Sequence, residues 1–188
     1  MRRLWILSAL LLLLPFTSVA QDLPRAEVFG GYTIARIGGE TWGKGWNASF
    51  AKVLSKEFAI VADFSGYYKS ASIHVLDVNF GGSGNVHNFL FGPRYSYREK
   101  EKYTPFAHAL FGATRISASG EVSVPGATVS GSAAETGFGM ALGGGIDIKW
   151  KPQLSIRAFE LDYFLARKEG TTNGFRMSFG IVYLIGHQ

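Results

Sequence analysis

The stretch at residues 88–98 constrains the fold most, because its side chains alternate between two kinds. It places Phe89, Phe91, Pro93, Tyr95 and Tyr97 on one face and Asn88, Leu90, Gly92, Arg94 and Ser96 on the other. A period of two is that of a β-strand whose two faces meet different surroundings. In a soluble protein the aromatic face would pack into a core. In a membrane barrel it would face lipid, with Arg94 and Asn88 inside. The alternation by itself leaves both possibilities open.

Length and composition favour one β-rich domain. The 188 residues include 24 glycines and 14% aromatic residues, while charged residues make up 18%. The formal net charge is +5, and it falls to +3 without Arg2 and Arg3. This small, scattered excess does not indicate a nucleic-acid-binding protein. Because the chain has no cysteine, disulfide bonds and an acylated amino-terminal cysteine are excluded.

The first 20 residues have the pattern of a cleaved secretory signal peptide. Arg2 and Arg3 precede an apolar run over residues 4–14, and small residues at Ser18 and Ala20 form the cleavage site. A membrane anchor helix is the alternative, but the run is shorter than the roughly 20 residues that span a bilayer. We therefore predict a signal peptide at residues 1–20, export by the ordinary secretory route, and a mature domain at residues 21–188.

Eight segments of the mature chain have the composition and alternation of strands. They lie at about 26–35, 45–53, 58–68, 88–98, 105–115, 137–149, 154–166 and 174–185. The links after the second, fourth and sixth segments are short turns. Those after the others, at 37–44, 69–86, 116–136 and 167–173, are mostly longer and poor in large apolar residues.

Short turns on one rim and longer loops on the other are typical of outer-membrane barrels. The predicted fold class is therefore all-β, an eight-stranded antiparallel up-and-down transmembrane β-barrel. We expect a bulge at Pro93, since proline lacks a ladder donor and a closed barrel has no free edge. Aromatic residues near segment ends predict girdles at the two membrane interfaces: Tyr32, Trp46, Tyr68, Tyr95, Tyr97, Trp150 and Tyr163.

The order of several short segments resembles the outer membrane protein β-barrel domain family, the OmpA-like and OmpX-like small barrels. The resemblance covers nearly the whole mature chain and is carried by residues 45–49 (GWNAS), 61–66 (VADFSG), 91–96 (FGPRYS), 105–108 (PFAH) and 162–163 (DY). It implies a bacterial outer-membrane location. The last segment also resembles the family's assembly signal, formed here by Ser178, Gly180, Tyr183 and Ile185, although Gly186, His187 and Gln188 stand where a terminal aromatic residue is usual.

Seven titratable residues fall on the expected inner face and predict a paired charge cluster in the lumen: Asp63, Arg94, His108, Asp147, Glu160, Asp162 and Arg176. Arg157 falls on the apolar, outward face. Some barrels of this size are lipid A acylases or deacylases, but no histidine has a serine two residues away on the same strand face. We therefore predict no catalytic residues, no metal site and no cofactor.

The predicted function is that of a non-enzymatic outer-membrane barrel with a filled lumen and a structural or surface-interaction role, with weak pore activity as a further option. The expected partners are outer-membrane lipids, the outer-membrane insertion machinery and an extracellular partner at the long loops, and nucleic acid is not expected. The alternative from another class is a soluble periplasmic barrel of lipocalin type that binds a small apolar ligand. The two differ in a simple observation: a membrane barrel should change its mobility on detergent gels after boiling and should fractionate with outer membranes, whereas the soluble barrel should do neither.

Overall fold

The computed structural model describes residues 23–37, 43–75, 78–124, 127–167 and 170–186. The predicted signal peptide lies outside the described residues. The eight strands are β1 (Ala26–Ile37), β2 (Gly43–Val53), β3 (Phe58–Val75), β4 (Val78–Ser96), β5 (Tyr103–Val124), β6 (Ala127–Lys151), β7 (Leu154–Arg167) and β8 (Thr171–Ile185). Each strand pairs antiparallel with the next, and β1 closes the ring against β8. The predicted fold class is confirmed.

The short-turn rim holds three connections that are tied by backbone hydrogen bonds. In the turn between β2 and β3, the amides of Leu54 and Ser55 donate to the Phe58 carbonyl at 2.9 and 3.1 Å. The amide of Lys149 donates to the Lys102 carbonyl at 2.9 Å and joins the β4–β5 turn to β6. The chain enters and leaves the barrel at this rim, because Arg25 donates its amide to the Ile185 carbonyl.

The prediction of loops at the two longest links is wrong, because most of residues 69–86 and 116–136 form strands. β3 and β4 stay paired from Phe58–Tyr95 to Val75–Val78, and β5 and β6 stay paired from Tyr103–Ile148 to Val124–Ala127. Small and polar residues gave these segments the composition of loops. In an extended sheet, however, cross-strand hydrogen bonding satisfies the backbone without any large apolar side chain.

The predicted bulge at Pro93 is also wrong. In the β3–β4 ladder Pro93 pairs with Ile60, and the register is unchanged on both sides. In the β4–β5 ladder the pairing is interrupted after Phe91–Phe111 and resumes at Arg94–His108 without a shift. The missing proline donor is therefore absorbed by a local gap in one ladder rather than by an inserted residue.

The register shifts instead lie in β6 and β7. In the β6–β7 ladder Ile146 pairs with Phe159 but Asp147 pairs with Arg157, so Ala158 is the extra residue. The same region shifts in the β7–β8 ladder between Arg157 and Glu160. One inserted residue reverses the alternation. The prediction that Arg157 faces outward is consequently wrong, because Arg157 is buried.

Within the barrel wall, the outer and inner faces of the described strands differ in polarity. On β4, Phe89 and Phe91 are 48% and 53% exposed, whereas Leu90 between them is fully buried. Large apolar side chains cover the outer face from Val28 on β1 to Ile185 on β8. The inner face carries polar, charged and small residues. This is the polarity of a barrel that stands in lipid and the reverse of a lipocalin.

Aromatic side chains on the outer face form two bands. Near the long hairpins, the Trp46 indole donates to the Tyr68 hydroxyl at 3.2 Å, and Tyr163 contacts Phe175 edge to face. Near the short turns, Phe58 contacts Tyr95 in the same way. Phe58 and Tyr68 lie ten residues apart on β3. At about 3.3 Å per residue and a tilt of about 40°, they are separated by about 25 Å along the barrel axis, the height of an outer-membrane apolar band.

Candidate functional site: the charged lumen

Among the described residues, nine charged side chains and His108 meet inside the barrel, and they form two groups. The first group lies near the short-turn rim and contains Glu27, Arg94, Arg98, Asp147, Arg157 and Glu160. The second lies toward the middle of the barrel and contains Asp63, His108, Asp162 and Arg176. Arg176 joins the two groups, because its Nη2 lies 3.5 Å from Glu160 Oε1.

Glu27 anchors the first group at the mouth of the barrel. Its two carboxylate oxygens each accept a hydrogen bond, one from Arg94 and the other from Arg98. Arg98 also donates to the Lys56 carbonyl at 3.0 Å, so the guanidinium ties the mouth to the β2–β3 turn. Two guanidinium groups on one carboxylate thus tie the start of β1 to the end of β4 across the lumen.

Arg157 fills the lumen above Glu27. Its Nε and Nη2 form a bidentate pair with the two oxygens of Asp147 at 2.8 and 3.1 Å, and its Nη1 donates to Glu160 at 2.5 Å. The rings of Phe29 and Phe106 lie 4.3 and 4.4 Å from the guanidinium carbon. The planar cation is therefore sandwiched between two aromatic faces, an arrangement that stabilises a desolvated arginine.

Arg176 organises the second group. Its Nε donates to Asp162 at 2.6 Å and its Nη1 donates to Asp63 at 2.7 Å, while Ser65 accepts from the same Nη1 at 3.1 Å. His108 Nε2 lies 2.8 Å from the other oxygen of Asp162. The group then continues into neutral side chains, since Asn47 donates to Asp63 at 3.0 Å.

Apolar side chains pack beside the charges and help to close the lumen. They form one buried cluster: Ala51, Ala59, Val61, Leu90, Leu110, Ala141, Phe164 and Ala166. A cavity of about 450 Å³ opens at the short-turn rim, with Glu27, Arg98 and Asp147 in its wall. A second cavity of about 150 Å³ lies toward the opposite rim beside Thr114 and Ala166. The charged groups and the apolar cluster lie between the two cavities.

Interior glycines let the strands approach closely at two levels of the barrel. A Cβ at Gly31 would come within 2.3 Å of the Phe179 carbonyl oxygen. A Cβ at Gly143 would come within 2.1 Å of Asp162 Oδ1, so this glycine makes room for the Asp162 carboxylate beside His108. Gly143 is part of the charged site because a side chain in its place would displace Asp162.

His108, Glu160 and Asp162 have the donor atoms for a metal ion, and one such atom from each lies within 4.8 Å of the others. Both carboxylates are already bound by guanidinium groups, Glu160 by Arg157 and Asp162 by Arg176, each at 2.5 Å. A divalent cation would have to displace these partners against the charge of the arginines. The geometry is that of a salt-bridge network rather than of a built metal site.

The same contacts bear on acyl-transfer chemistry. His108 and Asp162 have the residue types of the base and the orienting group in a catalytic triad. Ser65, however, accepts from Asn88 at 3.0 Å and from Arg176, and it shares a hydrogen bond with Tyr67 at 2.8 Å. Within the described ranges, the hydrogen bonds of this serine therefore go to the network and not to His108. Ser65 is therefore held by the charge network and is not oriented toward His108 as a nucleophile would be.

The structure places all seven of the expected lumen residues on the inner face and buries them. It adds Glu27, Arg98 and Arg157 to the network. The alternation of β1 already put Glu27 on the inner face. Because Glu27 lies at the end of its strand, however, the pattern gave no sign that it belongs to the charge network. Arg98 continues the alternation of Arg94 and Ser96 but lies beyond the end of β4. Arg157 is turned inward by the bulge, so it could not be found by counting alternate residues.

No protein-family model matches the chain, and no curated relative matches it. Among solved structures it is similar to Ail, the attachment invasion locus protein of Yersinia pestis, with 17% identity over 86% of this chain and 99% of that chain and a TM-score of 0.57. Ail in complex with the heparin analogue sucrose octasulfate gives a TM-score of 0.59 at 16% identity, with the same coverage. Neisserial surface protein A matches at 12% identity over 85% of this chain and 96% of that chain, with a TM-score of 0.54.

A major outer membrane protein of Thermus thermophilus matches at 11% identity over 84% of this chain and 98% of that chain, with a TM-score of 0.50. In the described part of the chain no α-helix is long and apolar enough to cross a membrane. The polarity of the two barrel faces, the two aromatic bands and these neighbours agree. The chain has the fold of the small eight-stranded outer-membrane barrels.

Proposed function

We propose that this outer-membrane barrel is non-enzymatic and acts at the cell surface by presenting a free β-sheet edge to an extended polypeptide. One observation carries the proposal. The β3–β4 and β5–β6 hairpins continue beyond the aromatic band at Tyr68 as one sheet, and the outer strand of that sheet has an open edge.

The sheet is continuous because β4 and β5 remain paired far above the barrel, out to Asn79–Ser123. β6 pairs with β5 over its whole extension, whereas its pairing with β7 begins only at Phe138–Arg167. Within the ranges that the structure describes, residues 127–137 of β6 therefore have a strand neighbour on one side only. At about 3.3 Å per residue, this edge is about 35 Å long.

The edge has few of the features that usually protect such strands, and Glu135 is its one charged residue. Residues 127–136 read ATVSGSAAET and contain no lysine, arginine or proline, and all of them are exposed. Exposed edges are normally blunted by these residues or by bulges, because unpaired amide and carbonyl groups recruit another strand. Small side chains also let a partner backbone approach. The edge therefore suits β-strand addition.

A sulfated polyanion is the other partner to consider, because the structural neighbour Ail was crystallised with a heparin analogue. On the protruding sheet of the present chain, Lys69 and Arg115 are offset by Glu121 and Glu135. Such a balanced surface gives no electrostatic attraction to a polyanion. The backbone edge is the stronger feature.

The test compares two valines that face each other in the sheet. Val129 lies on the edge strand and is 73% exposed, and its cross-strand partner Val122 lies on β5, which has a neighbour on both sides. The probe is a fluorescent peptide with the sequence of residues 114–124, the segment that β6 already pairs with on its inner side. Binding to the folded protein in detergent is followed by anisotropy.

We expect Val129→Lys to weaken peptide binding by about fivefold or more, as the loss of one or two net hydrogen bonds would. Val122→Lys, which adds the same charge to the same face, should bind as the unchanged protein does. Equal losses in both variants, or no binding of the peptide at all, would contradict the edge proposal. Mobility differences between heated and unheated samples verify that each variant has folded.

We further propose that Ser178, Gly180, Tyr183 and Ile185 act as the signal for the insertion machinery. In β8 the outer face carries Tyr183 and Ile185, and Ser178 faces the lumen. Replacing Tyr183 by serine should reduce the folded protein recovered from membranes without preventing refolding in detergent. Equal recovery from membranes would refute a signalling role. Amino-terminal sequencing of the exported protein tests the predicted start at Gln21.

A further inference from the structure

We propose that Lys102, Tyr103, Trp150 and Lys151 form a binding site for the phosphate of an anionic glycerophospholipid in the inner leaflet of the outer membrane. We call these four residues the β5–β6 collar. The proposal does not depend on the surface role of the long hairpins, since the collar lies at the opposite rim.

The collar is a compact patch on the outer wall. Tyr103 begins β5 and pairs with Ile148 of β6, two residues before Trp150. The hydrogen bond from the Lys149 amide to the Lys102 carbonyl, at 2.9 Å, holds the two segments side by side. Lys102 and Lys151 therefore approach the same arc of the wall from adjacent strands.

Each lysine lies over a girdle ring. Lys102 Nζ is 5.8 Å from the centre of the Tyr103 ring, and Lys151 Nζ is 5.0 Å from the centre of the Trp150 ring. Both rings are exposed on the outer face, and Trp150 is 62% exposed. Interfacial tyrosine and tryptophan lie at the level of the lipid headgroups. The two ammonium groups consequently lie where lipid phosphates are found.

Nearby acidic side chains are directed elsewhere. Glu99, in the same turn as Lys102, accepts a hydrogen bond from Lys56 at 2.7 Å, and this bond raises the pKa of Lys56. Glu101 lines the cavity at the barrel mouth. The collar lysines are therefore not neutralised by the acidic residues that alternate with them in sequence.

The rim as a whole is basic. Its exposed or half-buried basic residues in the described ranges are Arg25, Lys52, Lys56, Arg98, Lys100, Lys102, Lys149 and Lys151, against Glu57, Glu99 and Glu101. Short turns and both chain ends mark the periplasmic side of such barrels. The lipid leaflet at that side is built from phospholipids, so the ligand is a phospholipid phosphate, and the excess positive charge selects anionic headgroups.

The experiment measures which lipid lies next to Trp150. Trp42→Phe/Trp46→Phe leaves Trp150 as the reporter in the mature chain, which is reconstituted into phosphatidylcholine vesicles. Fluorescence is quenched with dibrominated phosphatidylglycerol or, separately, dibrominated phosphatidylcholine. The ratio of the two association constants should exceed one, with up to about fivefold from each lysine.

In the same background, Lys102→Gln/Lys151→Gln should bring the ratio close to one, and Lys151→Gln alone should give an intermediate value. The control, Lys44→Gln/Lys69→Gln, removes two charges at the opposite rim and should leave the ratio unchanged. Raising the salt concentration to about 1 M should lower the wild-type ratio by screening. A wild-type ratio of one, or an equal fall in the control, would overturn the proposal. Competition by soluble glycerol phosphate would overturn the assignment to a membrane lipid.

Discussion

Removing Arg176 is the sharpest test of whether the lumen network stabilises the barrel. The Arg176 guanidinium is buried and binds Asp162 and Asp63 at 2.6 and 2.7 Å. Arg176→Met keeps most of the side-chain volume but leaves two buried carboxylates without their cation. Breaking a buried ion pair in this way costs about 3–5 kcal/mol. This is a large fraction of the roughly 5–15 kcal/mol that stabilises a folded domain.

A second substitution separates charge imbalance from loss of packing. Asp63→Asn in the Arg176→Met background removes one of the two uncompensated charges and keeps a partner for Asn47. We expect the double variant to recover about 1–3 kcal/mol of the loss, because the pair is coupled through a shared network. Arg115→Met, at an exposed site on the protruding sheet, is the control and should change stability by less than about 0.5 kcal/mol.

The assay is reversible urea unfolding in vesicles, followed by intrinsic fluorescence and by the fraction of protein that keeps its folded mobility on gels. If Arg176→Met lowered the unfolding free energy by less than about 1 kcal/mol, the reasoning would be refuted, since an uncompensated buried charge destabilises a protein by more than that. The reasoning would also be refuted if the losses in unfolding free energy from Arg176→Met and Asp63→Asn simply added in the double variant. Additive losses would mean that the two residues do not interact.

Three further predictions follow from other parts of the barrel. Gly31→Ala should prevent or strongly reduce folding, because its Cβ would lie 2.3 Å from the Phe179 carbonyl oxygen. Gly30→Ala has open space and should be tolerated, so equal refolding yields for the two variants would contradict this. Planar bilayers should show no discrete conductance steps, because the charged groups and the apolar cluster close the lumen, and regular steps would show an open path. In hydrogen exchange, the amides of residues 127–136 should exchange faster than those of residues 114–124, because β6 is paired on one side there and β5 on both. Equal protection of the two segments would indicate that the edge is covered.

Much of the barrel could be predicted from local patterns. The two faces of β4 are one example: Phe89 and Phe91 lie on the outer face, and Leu90 and Arg94 lie on the inner face. A strand between two different environments has no other stable register. Eight such strands and three short turns were enough to predict the closed ring. The extent of the long hairpins was not predictable, because segments such as 127–136 have Val129 as their single large apolar residue and their strands are held mainly by backbone pairing.

The charged lumen shows why a single inserted residue matters more than composition. Strict alternation along β7 puts Arg157 in lipid, where an isolated guanidinium would be expensive. The extra residue Ala158 turns Arg157 inward, where Asp147 and Glu160 bind it. Without Arg157 the first group would hold three carboxylates against two guanidinium groups, so the bulge brings in the arginine that balances it. A β-bulge is thus inferable from a sequence when a charge falls on the lipid face of a strand and the lumen lacks its counterion.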